Sequence, residues 1–505
     1  MDRRVFLSKA GAGVGALASL QIGNTALGAP AEQQDTVTSH LMDLQEGETR
    51  TIYLKIKEFL DSIPSIDSHE HLRAFDDLPG IVETEWGRGA NLYGQWTSSY
   101  LNRIVKLSPW AAKTPFRKWW TRAKSDFDSV RATSFYRYMW LAFLDLYDID
   151  FDHITDDQAA DLDRRIFENY RETTWLHDVI QKRAGIEIMI TDPYWKRLSF
   201  HADYPFEFLT FNVTNLLQGF HSSEYFGQYF KGNPHNMIWD PTFDSPYLYA
   251  SRRGLPLKSL DDYLELLNEM FVEAAKGDCV CLKSTAAYSR TLYFENVSKE
   301  RAARAFGRKR SEMAPDEAKA FEDFIMWRLA ELSAKYELPF QIHTGDAQIQ
   351  GSNPMLLVNL IDANPDTRFE LFHGGYPWVR ETGAIGAKYG SHVWINGVWL
   401  PAISYSMAKH AFNEWLEVMP SNRITWGGDE HSAEGIYGET ELNRHCWAEV
   451  LADKISRREL AEDDARRIGS QILRDNALDL YPLLKPKMAR RQAQSSIIPG
   501  AKTPA

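Results

Sequence analysis

Two histidines stand two residues apart near the end of a short predicted strand, residues 63–72, in which apolar and polar side chains alternate. Alternate side chains of a strand point to the same face, so Asp67, His69 and His71 share one face. Neutral imidazole nitrogen is a common ligand of divalent cations. The H-x-H spacing therefore allows both rings to bind one cation, although a single pair of this kind is a weak signal.

Four more polar residues each end a later predicted strand, and their amine, imidazole and carboxylate groups can bind metals or transfer protons. They are Lys283, His343, His373 and Asp429. Taken alone, each has a structural interpretation, because a histidine at a strand end often makes a structural hydrogen bond and an aspartate often caps a helix. Placements of this kind at five strand ends are improbable by chance, so we expect these side chains to meet at one site.

The elements that must position these residues alternate between strand and helix. Eight predicted strands cover residues 63–72, 186–192, 236–240, 279–283, 340–343, 369–373, 393–396 and 424–429. The alternation predicts an α/β fold, a (β/α)₈ TIM barrel, in which catalytic residues lie at the carboxyl ends of the strands. An open doubly wound sheet is the alternative, but the sequence lacks the G-x-G-x-x-G or Walker-type loop that such sheets carry.

A long aromatic stretch, residues 83–182, separates the first two strands and has a helical pattern without a recognisable strand. It predicts a helical insertion after strand 1. A later helix, residues 260–276, is expected to begin after Ser259, a favourable N-capping residue. The basic, polar tail over 485–505 is expected to be disordered, which leaves residues 30–484 for the barrel domain.

The chain has 505 residues and a net charge of −12 that no broad basic stripe offsets. This balance argues against nucleic acid as a partner and favours a small-molecule substrate, while the oligomeric state stays open, a homo-oligomer included. The three cysteines, Cys279, Cys281 and Cys446, are too few for a disulfide framework. Two of them lie in an apolar predicted strand, where buried thiols are expected.

The N-terminus is expected to carry a targeting sequence. Residues 2–9 (DRRVFLSK) resemble the twin-arginine signal of exported bacterial proteins, an apolar Gly/Ala-rich run follows over 10–20, and small residues at 25–29 offer a cleavage site. We therefore expect a signal peptide over residues 1–29 and a periplasmic or secreted protein. The apolar run is too short for a firm membrane span, and no span is expected in the mature protein.

The residues at the strand ends resemble the metal-binding pattern of the amidohydrolase superfamily, in the same order along the chain. The pattern is Asp67-Ser68-His69-x-His71, Lys283, His343, His373 and Asp429. Three phrases resemble the amidohydrolase-related branch, which includes nodulin-like members: residues 282–288 (LKSTAAY), 342–346 (IHTGD) and 373–377 (HGGYP). Two others resemble uronate isomerases of the same superfamily: residues 146–150 (LYDID) and 191–193 (TDP).

This resemblance implies one or two divalent metal ions at the barrel mouth, with Zn²⁺ the expected ion. The ligands of one ion would be His69, His71 and Asp429, with His343 as a further ligand. If Lys283 is carbamylated, it would bridge two ions, with His343 and His373 on the second. Carbamylation needs a neutral lysine, and burial above apolar residues of the same strand would lower its pKa. The alternative keeps Lys283 as an ammonium that holds a substrate carboxylate.

The resemblance also implies a reaction. A bound Zn²⁺ polarises a carbonyl and lowers the pKa of its water from about 15.7 towards roughly 7. Asp429 would act as general base, and His373 would steady the developing oxyanion. The insertion would supply substrate contacts, for which the candidates are Arg88, Arg131 and Arg137. We expect a hydrolase of a small amide, lactone or ester. A uronate-type isomerase, a non-oxidative decarboxylase and a non-catalytic binding protein are the alternatives, and the intact ligand set argues against the last.

Overall fold

The structure, a computed structural model, describes residues 47–222 and 245–497. Within them the strands are β1 (Ser65–Glu70), β2 (Ile81–Thr84), β3 (Gly87–Ala90), β4 (Ile186–Thr191), β5 (Glu207–Asn212), β6 (Cys279–Ser284), β7 (Phe340–Ile342), β8 (Phe369–Leu371), β9 (Val393–Asn396) and β10 (Ile424–Thr425). All but β2 and β3 form one parallel sheet, in which each strand pairs with the next along the chain. The predicted (β/α)₈ TIM barrel is confirmed.

The barrel closes between β1 and the residues that follow β10. The backbone N–H of Ser68 donates to the carbonyl of Trp426 at 3.3 Å, and the N–H of Asp429 donates to the carbonyl of His69 at 2.8 Å. The strand β1 is therefore flanked by β4 on one side and by β10 on the other.

Helices surround this sheet. In the described residues the α-helices are Glu48–Asp61, Leu92–Ser98, Phe116–Ala123, Ser134–Tyr147, Asp156–Asn169, Thr174–His177, Pro246–Arg253, Leu260–Lys276, Lys299–Ala303, Pro315–Lys335, Val358–Ala363, Val379–Tyr389, Leu400–Ile403, Tyr405–Val418, Ala433–Ser456, Glu462–Ser470, Asn476–Leu480 and Leu484–Ile497. The predicted cap is confirmed, because the Ser259 hydroxyl accepts a hydrogen bond from the N–H of Asp262 at 3.1 Å. Among these helices, none combines the length and apolarity that a membrane crossing requires.

The third barrel strand differs from the prediction. It is β5, Glu207–Asn212, whereas the predicted strand at 236–240 lies outside the described residues. The connection from β4 to β5, residues 192–206, contains turns but no helix. The prediction assumed a helix between successive strands. Because no helix separates β4 from β5, the prediction did not identify β5.

The insertion is mostly helical, but it begins with a hairpin that the sequence did not predict. Strands β2 and β3 pair antiparallel, joined by two residues before Gly87. The φ of Gly87 is 121°, which glycine adopts without steric cost. The insertion packs around Trp96, which is fully buried and stacks on Tyr136 with ring centroids 5.5 Å apart. Its aromatic residues therefore build a core of their own.

The expectation of a disordered tail from residue 485 is wrong over 485–497, because the helix Leu484–Ile497 continues there. Leu484 is fully buried in the barrel's hydrophobic core, beside Ile66 and Phe208. The ammonium of Lys487 donates to the carbonyl oxygens of Ala275, Gly277 and Cys279 at 2.5–2.8 Å. This basic residue thus attaches the helix to the barrel and does not point into solvent.

Candidate metal centre

His69, in β1, and His71, just after it, face the carboxylate of Asp429, which follows β10 where the barrel closes. The Oδ1 atom of Asp429 lies 2.9 Å from Nε2 of His71 and 3.7 Å from Nε2 of His69. His69 and Asp429 are buried and His71 is partly buried. These three residues lie close together, as expected from the sequence. Asp67 lies beneath them, where its carboxylate accepts hydrogen bonds from the N–H groups of His69 and Gly428.

Two glycines allow β10 to approach β1 at this level. A Cβ atom on Gly428 would lie 2.2 Å from Oε1 of Glu70, and one on Gly427 would lie 3.0 Å from Oδ1 of Asp67. The sequence Gly427-Gly428 therefore brings the backbone of Asp429 against β1. Asp429 itself has a φ of 70°, a conformation that non-glycine residues adopt mainly under local constraint.

His343 and His373 lie on the other side of the carboxylate. Nε2 of His373 is 2.8 Å from Nδ1 of His343, and its Nδ1 is 3.6 Å from Oδ2 of Asp429. Burial lowers the pKa of both rings well below the usual value, as it does for His69. These imidazoles are therefore neutral at pH 7, the form in which histidine binds a metal.

Lys283 ends β6 within the same group. Its Nζ lies 3.2 Å from Nε2 of His69 and 3.6 Å from the ring centroid of Phe372. Burial lowers the pKa of Lys283 to about 8, as the apolar residues of its strand predicted. A substantial fraction of the amine is then neutral near pH 8, which either carbamylation or proton exchange requires.

The sequence analysis missed Asp192, which directly follows β4. Its carboxylate and the nitrogens of His69 and His71 lie within 4.8 Å of one another. Its backbone carbonyl is 3.1 Å from Nδ1 of His71. In the sequence, the phrase TDP at 191–193 indicates only a family resemblance. The position directly after a barrel strand was the signal that could have identified this residue.

A cavity of about 280 Å³ opens above these residues. Its lining includes His69, His71, Tyr100, Arg103, Asp192, Tyr194, Lys283, Tyr288, His343, His373, Asp429 and His431. The insertion contributes Tyr100, which donates a hydrogen bond to Oδ1 of Asp429 at 3.0 Å. It also contributes Arg103, whose guanidinium lies 2.7 Å from Asp346 and 4.7 Å from the ring centroid of Trp399. The insertion thus forms one wall of the cavity.

The three arginines predicted to bind substrate lie elsewhere. Arg88 is exposed on the hairpin strand β3. Arg131 and Arg137 both pair with Asp152, at 3.2 Å and 2.5 Å. That prediction is wrong as to position, because a carboxylate within the insertion already neutralises two of these cations. The arginine in the cavity, Arg103, follows no motif and was not singled out from the sequence.

The donor set fits a divalent cation. Three of its imidazoles are buried and neutral, and Nδ1 of His69 makes no hydrogen bond within the described residues. A buried nitrogen without a partner is costly, and coordination would satisfy it. The carboxylate of Asp429 supplies the negative charge that a cation prefers.

Three comparisons bear on this site. Residues 291–483 match the family model described as amidohydrolase. Protein fluG of Emericella nidulans is 28% identical over 198 residues, which cover 36% of this chain and 23% of that protein. The chain thus spans about a quarter of the length of this curated relative. The region that matches the family model, residues 291–483, contains His343, His373 and Asp429, whereas His69 and His71 precede it.

Solved structures share the fold over most of the chain. Uronate isomerase from Thermotoga maritima matches with a TM-score of 0.65 and 13% identity, covering 87% of this chain and 100% of that one. Glucuronate isomerase from Caulobacter crescentus gives 0.64 and 14%, covering 87% and 95%. A Lactobacillus casei protein described as a metal-dependent hydrolase gives 0.57 and 16%, covering 86% and 98%. Residues 291–483 thus resemble amidohydrolases in sequence, and the chain shares its barrel fold with these uronate isomerase and hydrolase structures.

Proposed function

We propose that the protein is a metal-dependent hydrolase that acts on a small amide, lactone or ester carrying a carboxylate. One observation carries the proposal: the Asp429 carboxylate lies at the floor of the cavity, 2.9 Å from His71 and 3.0 Å from the Tyr100 hydroxyl. A carboxylate so placed can both face a metal and exchange protons with a bound reactant. The cavity volume of about 280 Å³ suits a small substrate.

The position of each residue in the cavity indicates its role. His69, His71 and Asp429 would hold a divalent cation, Zn²⁺ by the nitrogen-rich donor set, with His343 as a further ligand. A carbamylated Lys283 together with His373 would accommodate a second ion. The bound metal would supply Lewis acidity, polarising the substrate carbonyl and activating water at neutral pH.

The proton transfers belong to the protein's own groups. Asp429 would take a proton from the attacking water and return it to the leaving group. The Tyr100 hydroxyl would keep that carboxylate oriented, and His373 would face the oxygen on which negative charge develops. Arg103, in place of the arginines predicted from the sequence, would bind the substrate carboxylate by exchanging its pairing with Asp346.

A uronate-type isomerase is the second candidate. It is supported by the likeness to two uronate isomerase structures over 87% of the chain, which concerns the fold alone. In that reaction the same Asp429 would move a proton between neighbouring carbon atoms without adding water. A non-oxidative decarboxylase remains a third outcome that an experiment must distinguish.

A substrate screen separates these reactions. Metal-loaded protein is incubated with carboxylated lactones, acyl amides, esters, uronates and aromatic acids, and products are read by mass spectrometry. We expect the gain of one water on an amide, lactone or ester, and none of this product with metal-stripped protein. Isomerisation of a uronate without mass change, or loss of carbon dioxide from an acid, would replace the hydrolase assignment.

We also propose export by the twin-arginine route, on the basis of residues 2–9, which lie outside the described part of the chain. The paired change Arg3→Lys and Arg4→Lys should retain the protein in the cytoplasm. Unchanged export of this variant in a fractionated bacterial host would contradict the route.

A further inference from the structure

Two aspartates lie on either side of the end of β1. The N–H of Asp192, after β4, donates to the carbonyl of Glu70 at 2.8 Å. The N–H of Asp429, after β10, donates to the carbonyl of His69 at the same distance. Both neighbours of β1 are thus fixed in register with it. The His69 and His71 rings lie between one carboxylate from each side.

The side chain of Asp192 is fully buried and held by neutral donors. The amide nitrogen of Asn212 lies 3.1 Å from its Oδ1 and 3.0 Å from its Oδ2, and the Thr210 hydroxyl donates to Oδ1 at 3.2 Å. Burying a carboxylate is expensive unless a cation or several donors compensate. Hydrogen bonds of this kind orient a metal-binding carboxylate, and Oδ2, which accepts one of these hydrogen bonds, keeps a lone pair for an ion.

The distances favour a ligand at this position. One oxygen of Asp192 and the nitrogens of His69 and His71 lie within 4.8 Å of one another. Ligand atoms around a first-row divalent ion are about 3–4 Å apart, so this cluster needs only a modest closure. The carbonyl of Asp192 also faces Nδ1 of His71, which directs the Nε2 atom of that ring inwards.

We propose that Asp192 is a ligand of the ion that His69 and His71 hold, on the side opposite Asp429. The assignment rests on the metal-dependent function proposed above and is independent of the reaction catalysed. Its consequence is a division of labour between the two carboxylates. Asp192 anchors the ion, so Asp429 can take up and release a proton without the ion being lost.

The test compares metal binding by apo-protein and its variants, with Co²⁺ as the probe. Affinity is measured by competition with a chromophoric chelator, and the visible absorption of the Co²⁺-loaded protein reports the ligand set. We expect Asp192→Asn to weaken Co²⁺ binding by about 100-fold or more and to change the spectrum, since loss of an outer-shell partner alone costs about 10–100-fold. Asp346→Asn, which removes an equal charge from the partner of Arg103, should change affinity less than twofold.

Two results would overturn the assignment. One is an unchanged affinity and spectrum in Asp192→Asn. The other is a weakened affinity with an unchanged spectrum, because Asp192 would then only orient His71. Asp192→Glu keeps the carboxylate and should recover part of the lost affinity, which covers the case in which the Asn variant folds poorly. Wild-type protein that binds Co²⁺ but hydrolyses nothing would contradict the proposed function and leave this assignment intact.

Discussion

The Tyr100 hydroxyl donates a hydrogen bond to Oδ1 of Asp429 at 3.0 Å, joining the helical insertion to the end of the last barrel strand. The two residues are 329 positions apart in the chain. The ring of Tyr100 packs 4.5 Å from that of Trp399, which fixes the phenol over the carboxylate. The insertion therefore contacts a candidate catalytic residue directly, in addition to forming one wall of the cavity.

Asp429→Asn tests the general base. The amide keeps the shape and a weak oxygen ligand but cannot accept a proton, so we expect kcat to fall by about 10²–10⁴-fold. Part of the metal should remain bound, as measured by elemental analysis. Near-native turnover with a lower melting temperature would mean that Asp429 has only a structural role, worth about 1 kcal/mol.

Tyr100→Phe removes the hydrogen bond to that base and leaves the ring. Hydrogen bonds to charged groups contribute about 1.5–3 kcal/mol, so kcat should fall by roughly 10–100-fold while metal content stays the same. The matched control is Tyr405→Phe, which removes a 3.0 Å hydrogen bond to Glu449 outside the cavity. Equal losses of kcat in both variants would contradict a role at the site.

Arg103→Met tests recognition of a substrate carboxylate. Loss of a charge-assisted hydrogen bond should raise KM by roughly 10–100-fold for a carboxylated substrate and leave kcat less affected. Arg137→Met is the control, because Arg137 pairs with Asp152 away from the cavity. If Arg137→Met raises KM and Arg103→Met does not, the assignment made from the structure fails.

Asp163→Asn tests a pH dependence of stability away from the site. Burial raises the pKa of Asp163 to about 7, and its Oδ1 accepts a hydrogen bond from the N–H of Leu92. The folded pKa exceeds the unfolded value of about 4, so this contribution to stability is present below pH 4 and is lost as the pH rises to 7. The Asn variant cannot ionise and should lose less unfolding free energy than the wild type between pH 4 and 8.

Urea denaturation at several pH values measures this difference. Asp157→Asn, an exposed change on the same helix, is the control and should follow the wild type. A wild-type profile that is parallel to that of Asp163→Asn over this range would refute the raised pKa.

Much of the barrel could be predicted from the sequence because its strands are short, apolar and bounded by polar ends. His69, His71, Lys283, His343, His373 and Asp429 converge as expected, since parallel strands of a barrel place their carboxyl ends at one mouth. The strand β5 was missed because no helix precedes it. The helix Leu484–Ile497 was missed because its basic composition is typical of a disordered tail, although Leu484 is buried in the core.

Arg103, in the insertion, and Asp192, directly after β4, could not be assigned in this way. Whether Arg103 or Arg137 reaches the cavity depends on how the insertion folds back over the barrel, which the pattern of side chains along the chain does not determine. Arg137 forms an ion pair with a nearby carboxylate, Asp152, and therefore does not reach the cavity. Asp192 was overlooked because a single acid at a strand end equally suits a turn, and only the neighbouring Asn212 and the β1 histidines distinguish the two.

The most direct test of a metal-dependent enzyme is elemental analysis of protein purified without chelator, beside the double variant His69→Ala/His71→Ala. We predict one or two equivalents of divalent metal in the wild type. The double variant should lose this metal and its activity with little change in helix content by circular dichroism. Wild-type protein that is free of metal and fully active would contradict the account.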